Sequence, residues 1–467
     1  MRALSGVAAA LVLAAAGDYA VLKLHAMSGP FLFQGADCAG PRGGGTITTA
    51  SDPTLGASQW TTFQAAPDHN AVLNTGSPAG QALDASWRFQ TNGTVSTVPA
   101  VVDGVAYLGS MDGCVYALDA KTGRLLWSFG ANNQVMSEPL VSGGLVFFGS
   151  GNKGMGVVAG LGTVRGTGVS ALYALDARTG RPAWSMPTVG GNMTTPALAD
   201  GVLYDVGGGK TFYAVSATSG KLLWKLPVGS YVSMSSPTLV GELAVFGGAE
   251  PYGLIAVNVQ THRIAWTLPL PQAHSGVDDV TPAASDGVVY VQVPEGSVIK
   301  RVVEMAVRAS DGQILWQRTL GTDPYNVAQR ALGQGELSAH DGEETGVATV
   351  VDGVLYVGSP GLGGLWALNA HTGQPVWRLP AALGQGVRTA PAVDGHTLYA
   401  ASNTTLFVLD AESGALLGHI PLGTFRERTG IMIPCTTAGP LVLGDTLLVG
   451  SGADANTIRA IPLRQLP

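Results

Sequence analysis

Two adjacent carboxylates, Asp278 and Asp279, draw attention in a chain that carries few charges. They lie in a polar run, residues 273–281, that leads into an apolar segment headed by a proline. A carboxyl group partly buried there would have a raised pKa and could act as a general acid or base. Because successive residues of an extended chain face opposite ways, we expect Asp279 to match the side taken by Met193 and Met234 in equivalent segments. The alternative is an Asp pair that caps a turn or pairs with an arginine.

Other ionisable residues lie before comparable apolar segments or in long insertions. Arginines in such places attract anions, since a guanidinium binds oxyanions through paired hydrogen bonds. The run 426–428 also fits an ion-paired surface, because a glutamate separates its two arginines. We predict a small anionic substrate and the following residues as candidates for binding it: Glu138, His274, Arg330, Arg388, Arg426 and Arg428.

Several chemistries are excluded by motifs that the sequence lacks. The eight histidines do not have the spacing of metal ligands, so no metal site is predicted. There is no C-x-x-C pair and no recognisable Ser-His-Asp order. Residues 149–154 fit the G-x-G-x-x-G pattern, but no helical periodicity follows, which argues against a dinucleotide site. With 12% charged residues and a net charge of −7, the chain has no basic patch for nucleic acid.

An internal repeat supplies the elements that must position these residues. A strand of the type Tyr-Ala-Leu-Asp, a turn that ends in Gly, and a Trp recur in this order. Successive copies of the Trp position are 40, 57, 40, 42, 50, 61 and 41 residues apart, and about 40 residues make one four-stranded propeller blade. Each Trp is predicted to pack between blades. The positions are Trp87, Trp127, Trp184, Trp224, Trp266, Trp316, Trp377 and, where Gly replaces Trp, Gly418.

The repeats predict an all-β fold, an eight-bladed β-propeller closed by an N-terminal strand. The eighth unit ends without its outer strand, and residues 85–90 supply that strand, which removes an open sheet edge. Ligands of such a wheel bind where the innermost strands begin and the connecting loops meet. The candidate residues above lie in those approaches. Two insertions, residues 152–170 and 321–346, are candidates for a lid, for contacts or for disorder.

The repeat resembles that of the pyrroloquinoline quinone (PQQ) propellers across residues 85–467. Within that group the chain is most similar to the tetrathionate hydrolases, in size, in its insertions and in an Asp at the channel mouth. This resemblance implies hydrolysis of an S–S bond in a dianionic polythionate and no cofactor. It also implies that Asp279 activates water and that Arg388 holds a sulfonate end.

Two other functions of the same wheel stay open. The chain resembles PQQ dehydrogenases, which hold the quinone under a vicinal disulfide, above a Trp and beside calcium. Cys38, Cys114 and Cys435 are never adjacent, although Trp366 stands outside the repeat position and could serve as a stacking floor. The chain also resembles the non-catalytic propeller subunit of the outer-membrane barrel assembly machinery, which would make it a scaffold.

The N-terminal residues indicate export. An arginine precedes the apolar run 3–16, so residues 1–26 are predicted to be a signal peptide or an N-terminal anchor, followed by an extension, residues 27–84. The mature protein would be periplasmic, outer-membrane-associated or secreted, and a homodimer is an open alternative. An oxidising compartment allows a disulfide, for which we favour Cys38 with Cys435. The scarcity of charge fits life in acid, where carboxylates lose their charge; the alternative is a turn-rich β fold that carries Ser, Thr and Gly on its surface.

Overall fold

The computed structural model describes residues 38, 72–73, 86–95, 97–273, 276–296, 301–322, 346–359, 364–379, 387–402, 405–422, 439–451 and 456–466. Within these ranges, no helix has the length and apolar character needed to cross a bilayer. The predictions that fall outside the described residues concern the segment 1–26, His274, Arg330, Arg426, Arg428 and Cys435.

Seven antiparallel four-stranded sheets, and one sheet in which a fifth strand joins four antiparallel ones, form the eight blades of a β-propeller, so the predicted all-β fold is confirmed. Consecutive strands pair within a blade, which makes each blade a meander running from the hub of the wheel to its rim. Two strands precede the first blade, β1 (Val72–Leu73) and β2 (Trp87–Gln90).

Blades 1 to 4 follow one another along the chain, and blade 2 carries an additional hairpin, β9–β10. From hub to rim the strands are β3 (Ala100–Val102), β4 (Val105–Gly109), β5 (Cys114–Asp119) and β6 (Leu125–Gly130) in blade 1; β7 (Leu140–Ser142), β8 (Leu145–Ser150), β11 (Ser170–Asp176) and β12 (Pro182–Thr188) in blade 2, with β9 (Met155–Val158) and β10 (Gly162–Arg165) inserted between β8 and β11; β13 (Ala197–Ala199), β14 (Val202–Val206), β15 (Thr211–Ser216) and β16 (Leu222–Pro227) in blade 3; and β17 (Thr238–Val240), β18 (Leu243–Gly248), β19 (Gly253–Asn258) and β20 (Arg263–Pro269) in blade 4.

Blades 5 to 8 complete the ring, and β2 supplies the rim strand of blade 8. The strands are β21 (Ala283–Ser285), β22 (Val288–Glu295), β23 (Arg301–Arg308) and β24 (Ile314–Thr322) in blade 5; β25 (Ala348–Val351), β26 (Val354–Ser359), β27 (Gly364–Asn369) and β28 (Pro375–Leu379) in blade 6; β29 (Ala392–Asp394), β30 (Thr397–Ala401), β31 (Thr405–Asp410) and β32 (Leu416–Pro421) in blade 7; and β33 (Leu441–Leu443), β34 (Thr446–Ser451), β35 (Thr457–Pro462) and β2 in blade 8, before a 3-10 turn, Leu463–Gln465.

Closure of the ring by the N-terminal strand is confirmed by the pairing of β2 with β35. The two strands are antiparallel, with Trp87 opposite Ala460 and Gln90 opposite Thr457. The last blade therefore joins both ends of the propeller. Its rim strand is β2, which carries Trp87. In the other blades that have the repeat Trp, this residue also lies on the rim strand.

The hydrophobic core lies in the seams between neighbouring blades. One cluster combines Tyr116 and Leu118 of blade 1 with Leu448 and Ile458 of blade 8, and the next joins blades 1 and 2. The middle strands of each sheet are buried on both faces, because a blade packs against a neighbour on either side. This explains why their sequences are almost continuously apolar.

A hydrogen-bonded turn before each rim strand fixes the entry of the Trp. In blade 1 the Asp119 carboxylate accepts hydrogen bonds from the backbone N–H groups of Lys121 (3.1 Å) and Thr122 (2.9 Å). Gly123 then takes a positive φ of 67°, a conformation that favours glycine. The turn chemistry predicted from the repeat is therefore present in the structure.

At six junctions the Trp of a rim strand docks onto that turn in the next blade. The indole N–H donates to a backbone carbonyl of the neighbouring blade at 2.8–2.9 Å, and the ring covers the glycine of the turn, where a Cβ would lie 2.5–2.8 Å from ring atoms. The predicted packing role of the Trp is confirmed. The pairs are Trp87 with Ala120, Trp127 with Ala177, Trp184 with Ala217, Trp266 with Ala309, Trp316 with Ala370, and Trp377 with Ala411.

The junction between blades 3 and 4 uses a different partner for its Trp. His262 replaces the turn glycine there and still takes a positive φ of 58°. Trp224 stacks on the His262 ring at 4.4 Å between centroids, with the planes 21° apart. An aromatic ring thus fills the contact that glycine makes elsewhere.

The predicted pairing of Cys38 with Cys435 is wrong, because the structure joins Cys38 to Cys114. Cys114 begins β5 and is fully buried in the seam between blades 1 and 8, and Cys38 packs against the same seam. Their Cα atoms are 5.7 Å apart, a separation typical of disulfides. The bond ties the N-terminal extension to blade 1.

The N-terminal extension also reaches the hub. Strand β1 pairs in parallel with β29, with Val72 opposite Val393 and Leu73 opposite Asp394. Since β29 is the hub strand of blade 7, blade 7 has a fifth strand on its inner edge. The extension is therefore joined to the wheel at the hub of blade 7 and, through the disulfide, at blade 1.

Substitution of a turn glycine tests the Trp–Gly contact. Gly180→Ala should lower the free energy of unfolding by about 1–2 kcal/mol for the left-handed backbone, and by about 1–3 kcal/mol more for the clash with Trp127. Gly201→Ala is the matched control, because Gly201 has a φ of 75° with no atom within 4 Å of its Cβ position. Urea unfolding would measure both, and equal losses would contradict the contact.

Candidate functional site

Loops that lead into the hub strands are joined by a chain of hydrogen bonds from blade to blade. In each case the residue before the proline donates its backbone N–H to the side-chain oxygen of its counterpart in the next blade. We call these residues the hub chain: Val98 N–H to Glu138 Oε1 (3.0 Å), Glu138 N–H to Thr195 Oγ1 (2.9 Å), Thr195 N–H to Ser236 Oγ (2.9 Å), and Ser236 N–H to Thr281 Oγ1 (3.0 Å).

Glu138 holds a place in this chain that serine or threonine holds in the next three blades. Its Oε1 accepts from Val98, whereas its Oε2 is buried without a hydrogen-bond partner in the described structure. Burial raises the pKa of the Glu138 carboxyl well above its ordinary value. The residue predicted to bind substrate is thus also a link between blades.

The position two residues before the hub-chain residue carries a different side chain in different blades. Asp279 stands two residues before Thr281 of the hub chain, as Met193 and Met234 stand before theirs. Arg388 has the same place before the hub strand of blade 7. Both charged residues are at most 9% exposed. Asp279 and Arg388 therefore replace apolar side chains at the position that precedes the hub.

Asp278 is fixed by its backbone carbonyl. Three successive backbone N–H groups of the preceding loop, those of Ser233, Met234 and Ser235, donate to this oxygen at 3.1, 2.9 and 2.9 Å. Asp279 closes a turn by donating its own N–H to the Gly276 carbonyl. A carbonyl shared by three donors holds the Asp278–Asp279 segment tightly against blade 4.

Both carboxyl groups of this pair are only 5% exposed. Burial, and then the neighbouring Asp279 charge, raise the pKa of Asp278 to about 8. Asp279 Oδ1 is buried without a hydrogen-bond partner in the described structure. Two buried carboxyls in such proximity cannot both ionise cheaply, so the pair holds a proton at neutral pH.

Two cations of the insertion act on Asp278: Arg165, which ends β10, and Lys153, which precedes β9. The Arg165 guanidinium and, to a smaller degree, the Lys153 ammonium oppose the rise in the pKa of Asp278, because an opposite charge nearby favours the ionised carboxyl. Neither cation was predicted from the sequence. Of the three alternatives for this insertion, disorder is excluded, because the structure shows an ordered hairpin; a lid and a contact role stay predictions.

Tyr231 completes the cluster. Burial, followed by the charges of Asp278 and Glu250, raises the pKa of the Tyr231 phenol above its ordinary value. Its backbone forms a two-way bridge with Ala249, at 3.1 and 2.9 Å. The hydroxyl thus stays protonated at every working pH and is available as a hydrogen-bond donor.

The structure brings together only part of the predicted site. Asp278 and Asp279 lie side by side, Glu138 belongs to the hub chain, and Arg388 is two blades further around the wheel, where its carbonyl accepts from Val347 N–H (2.8 Å). The remaining candidates lie outside the described residues and stay predictions: His274, Arg330, Arg426 and Arg428.

The sequence model of the family described as "Outer membrane protein assembly factor BamB" matches residues 43–167, 168–338 and 337–461. These matches cover most of the chain. The chain belongs to this PQQ-like propeller family.

Curated relatives of this propeller include enzymes. A tetrathionate hydrolase of Acidithiobacillus ferrooxidans is 30% identical over 465 residues, covering 89% of this chain and 88% of the relative. A tetrathionate hydrolase of Acidianus ambivalens is 28% identical, covering 76% of this chain and 68% of the relative. These two similarities extend over the region that contains the Asp pair.

Solved structures support the PQQ-like fold at low identity. BamB from Moraxella catarrhalis superposes with a TM-score of 0.56 at 16% identity, covering 80% of this chain and 98% of that structure. A quinohemoprotein alcohol dehydrogenase from Pseudomonas putida gives 0.55 at 16% identity, covering 87% and 80%. At this level of identity the comparison shows the shared propeller alone.

The residues of this PQQ-like propeller fit a quinone poorly. Trp366, the candidate stacking floor, is 3% exposed within the seam between blades 5 and 6, and the Arg378 guanidinium covers its ring at 5.0 Å. The disulfide joins residues 76 apart in sequence and lies in another seam. Among the described residues there is also no group of three or more His, Cys, Asp or Glu side chains that could hold a metal ion.

Two further carboxyl groups are buried inside the blades. Burial raises the pKa of Glu304 to about 8, opposed by a hydrogen bond from Gln292. Burial also raises the pKa of Asp205 to about 6, although Thr194 and Asn192 donate hydrogen bonds to it. The folded propeller therefore keeps protons that an unfolded chain would release.

Stability should consequently fall as pH rises. Above about pH 4 the unfolded chain loses carboxyl protons that the folded state holds until its own raised pKa, so the free energy of unfolding falls by up to about 1.4 kcal/mol per pH unit for each such group. For Glu304 the fall in the free energy of unfolding continues up to about pH 8. Glu304→Gln should flatten the decline.

Urea unfolding at a series of pH values between 3 and 9 (roughly the window set by these groups) would measure this. Glu412→Gln is the control, because Glu412 is exposed in a surface contact with His396. If Glu304→Gln and Glu412→Gln follow the same curve as the wild type, Glu304 does not carry the effect.

Proposed function

We propose that this protein hydrolyses a polythionate, in the manner of a tetrathionate hydrolase, without PQQ. The observation that carries the proposal is the buried Asp278–Asp279 pair at the hub, in a chain that is 30% identical to a tetrathionate hydrolase along 89% of its length. The fit of the site to a quinone is poor, which favours hydrolysis over dehydrogenation.

The reaction requires a base for water and an acid for the leaving sulfur. Tetrathionate and one water yield thiosulfate, sulfate, elemental sulfur and two protons. Asp279 accepts a proton from the attacking water, which adds to a sulfonate sulfur as the adjacent S–S bond breaks. Asp278, whose pKa of about 8 keeps it protonated below neutral pH, donates its proton to the sulfur that leaves. The leaving group, HS–S–SO3−, then breaks its remaining S–S bond and separates into elemental sulfur, thiosulfate and one proton. The bisulfate formed from the attacking water releases the other proton and becomes sulfate.

Surrounding groups would hold the pair in these roles. Unequal surroundings push the protonation of two carboxyls apart, which separates an acid from a base. The three N–H groups on the Asp278 carbonyl fix its position, and Tyr231 supplies a protonated hydroxyl. Arg388 is proposed to hold one sulfonate end, as the resemblance implies.

Location and partners belong to the same proposal. A family described as an outer membrane protein assembly factor supports a protein that works outside the cytoplasm. We propose export by residues 1–26 and a small anionic substrate. Outer-membrane association and a homodimer stay predictions.

A scaffold role is the second candidate, since the matching family is described by an outer-membrane assembly factor. Co-purification with an outer-membrane β-barrel, together with no turnover of tetrathionate, would favour it. Dye reduction by an alcohol after addition of PQQ and calcium would favour a dehydrogenase instead.

Conservative substitutions of the Asp pair test the hydrolase. Asp279→Asn should lower kcat for thiosulfate release from tetrathionate by about 100-fold or more, because general acid–base catalysis is worth about 10²–10⁴. Asp278→Asn should lower kcat as well, since the amide has no acidic proton to give. Thiosulfate is measured at acid pH with each purified variant.

Asp286→Asn is the matched control, because Asp286 belongs to the same blade but sits in an exposed turn with a φ of 51° that Asn tolerates. It should keep wild-type kcat. Full activity in Asp279→Asn would refute the proposed role of that residue, and an inactive wild type across the pH range would refute the hydrolase.

A further inference from the structure

The β9–β10 hairpin ends at Arg165, whose charge acts on Asp278 of the Asp pair. We propose that Arg165, assisted by Lys153, is a substrate-binding residue that holds one sulfonate end of a divalent polythionate and so sets specificity for dianions. The inference rests on the proposed hydrolase and assigns a residue to that same site.

Backbone contacts fix the end of the hairpin on blade 3. Arg165 donates its N–H to the Gly208 carbonyl at 3.0 Å, and its own carbonyl accepts from Gly191 N–H at 2.6 Å. A Cβ on Gly208 would lie 1.8 Å from the Arg165 carbonyl oxygen, and one on Gly166 2.0 Å from Gly191. Only glycines allow this approach, so the position of Arg165 is set by main chain rather than by a flexible loop.

The same network reaches the Asp pair. Gly207, next to the residue that holds Arg165, accepts a hydrogen bond from Val232 N–H (3.4 Å). The following residues, 233–235, donate to the Asp278 carbonyl. The hairpin and the Asp pair are therefore anchored to one continuous set of loops between blades 2 and 5, and their relative placement is built into the backbone.

The guanidinium of Arg165 has unused capacity to bind an anion. Its Nε is buried without a hydrogen-bond partner in the described structure, and its Nη1 donates to the Met155 sulfur at 3.3 Å. A thioether is a weak acceptor. Sulfonate oxygens would offer paired, charge-assisted hydrogen bonds that neither Met155 nor water provides with equal strength.

The distribution of charge at the site favours an anion on the side of the insertion. The groups that act on Asp278 or on neighbouring Tyr231 are Asp279, Glu250, Tyr252, Arg165 and Lys153. The two cations belong to the insertion of blade 2, whereas the acidic residues belong to blade 4 and to the loop between blades 4 and 5. A sulfonate would therefore bind on the side of the insertion.

Arg165→Gln tests the assignment, with Arg165→Lys as the charge-preserving variant. We expect Arg165→Gln to raise KM for tetrathionate by about 10- to 100-fold, as loss of a charge-assisted contact implies, while kcat changes much less. Arg165→Lys should recover part of the loss. Arg181→Gln is the control, because Arg181 is exposed in a turn of the same blade.

Two readouts separate binding from a structural role. Removal of the Arg165 charge should move the titration of the Asp pair in the kcat/KM profile to higher pH, because that charge favours the ionised carboxyl. It should also reduce the fall of kcat/KM with added salt. Unchanged KM, pH profile and salt dependence in Arg165→Gln would overturn the inference.

Failure of this inference is distinguishable from failure of the proposed function. A wild type that hydrolyses tetrathionate, beside an Arg165→Gln variant with wild-type KM, refutes Arg165 alone. A wild type that is inactive at every pH refutes the hydrolase, and with it the assignment.

Discussion

The contact between an indole and the turn of the next blade sets the geometry of the whole wheel. At six junctions the rim strand presents a Trp whose N–H donates to a backbone carbonyl of the next blade and whose ring covers a glycine, as Trp127 does over Gly180. Because the ring occupies the space that a side chain would need, neighbouring sheets pack closely at these junctions. The hub strands then converge, and their loops can bond from blade to blade through Glu138, Thr195 and Ser236.

Much of this architecture could be predicted because its signals are local and repeated. The Trp spacing and the turn before it indicate eight blades, and the missing final rim strand indicates closure by residues near Trp87. The place of Asp279, equivalent to Met193 and Met234, also follows from the repeat. Arg165 could not be found this way, since an insertion has no counterpart in other blades. The sequence did contain a signal in the glycine runs 190–191 and 207–209, because residues without a side chain allow another segment of backbone to pack closely against them.

The contacts of the N-terminal extension escaped prediction for a related reason. A disulfide partner depends on the path of a segment outside the repeat, and that path brings Cys38 to the seam where Cys114 is buried. Likewise β1 pairs with the hub strand of blade 7, and no repeated sequence pattern predicts this pairing. The buried acids are different again: Glu304 lies within a middle strand, where burial raises its pKa to about 8.

The pairing of β2 with β35 has a consequence for the order of events during folding. Chains are synthesised from the N-terminus, so the residues of β2 exist long before their partner does. Seven blades can stack one after another, but the eighth cannot form until its last strand has been synthesised. Its formation then costs the conformational entropy of bringing two distant segments of the chain together. Until then an unpaired sheet edge is exposed to other chains. The pairing of β2 with β35, which closes the finished ring, is thus also the step before which the folding chain is open to association with other chains.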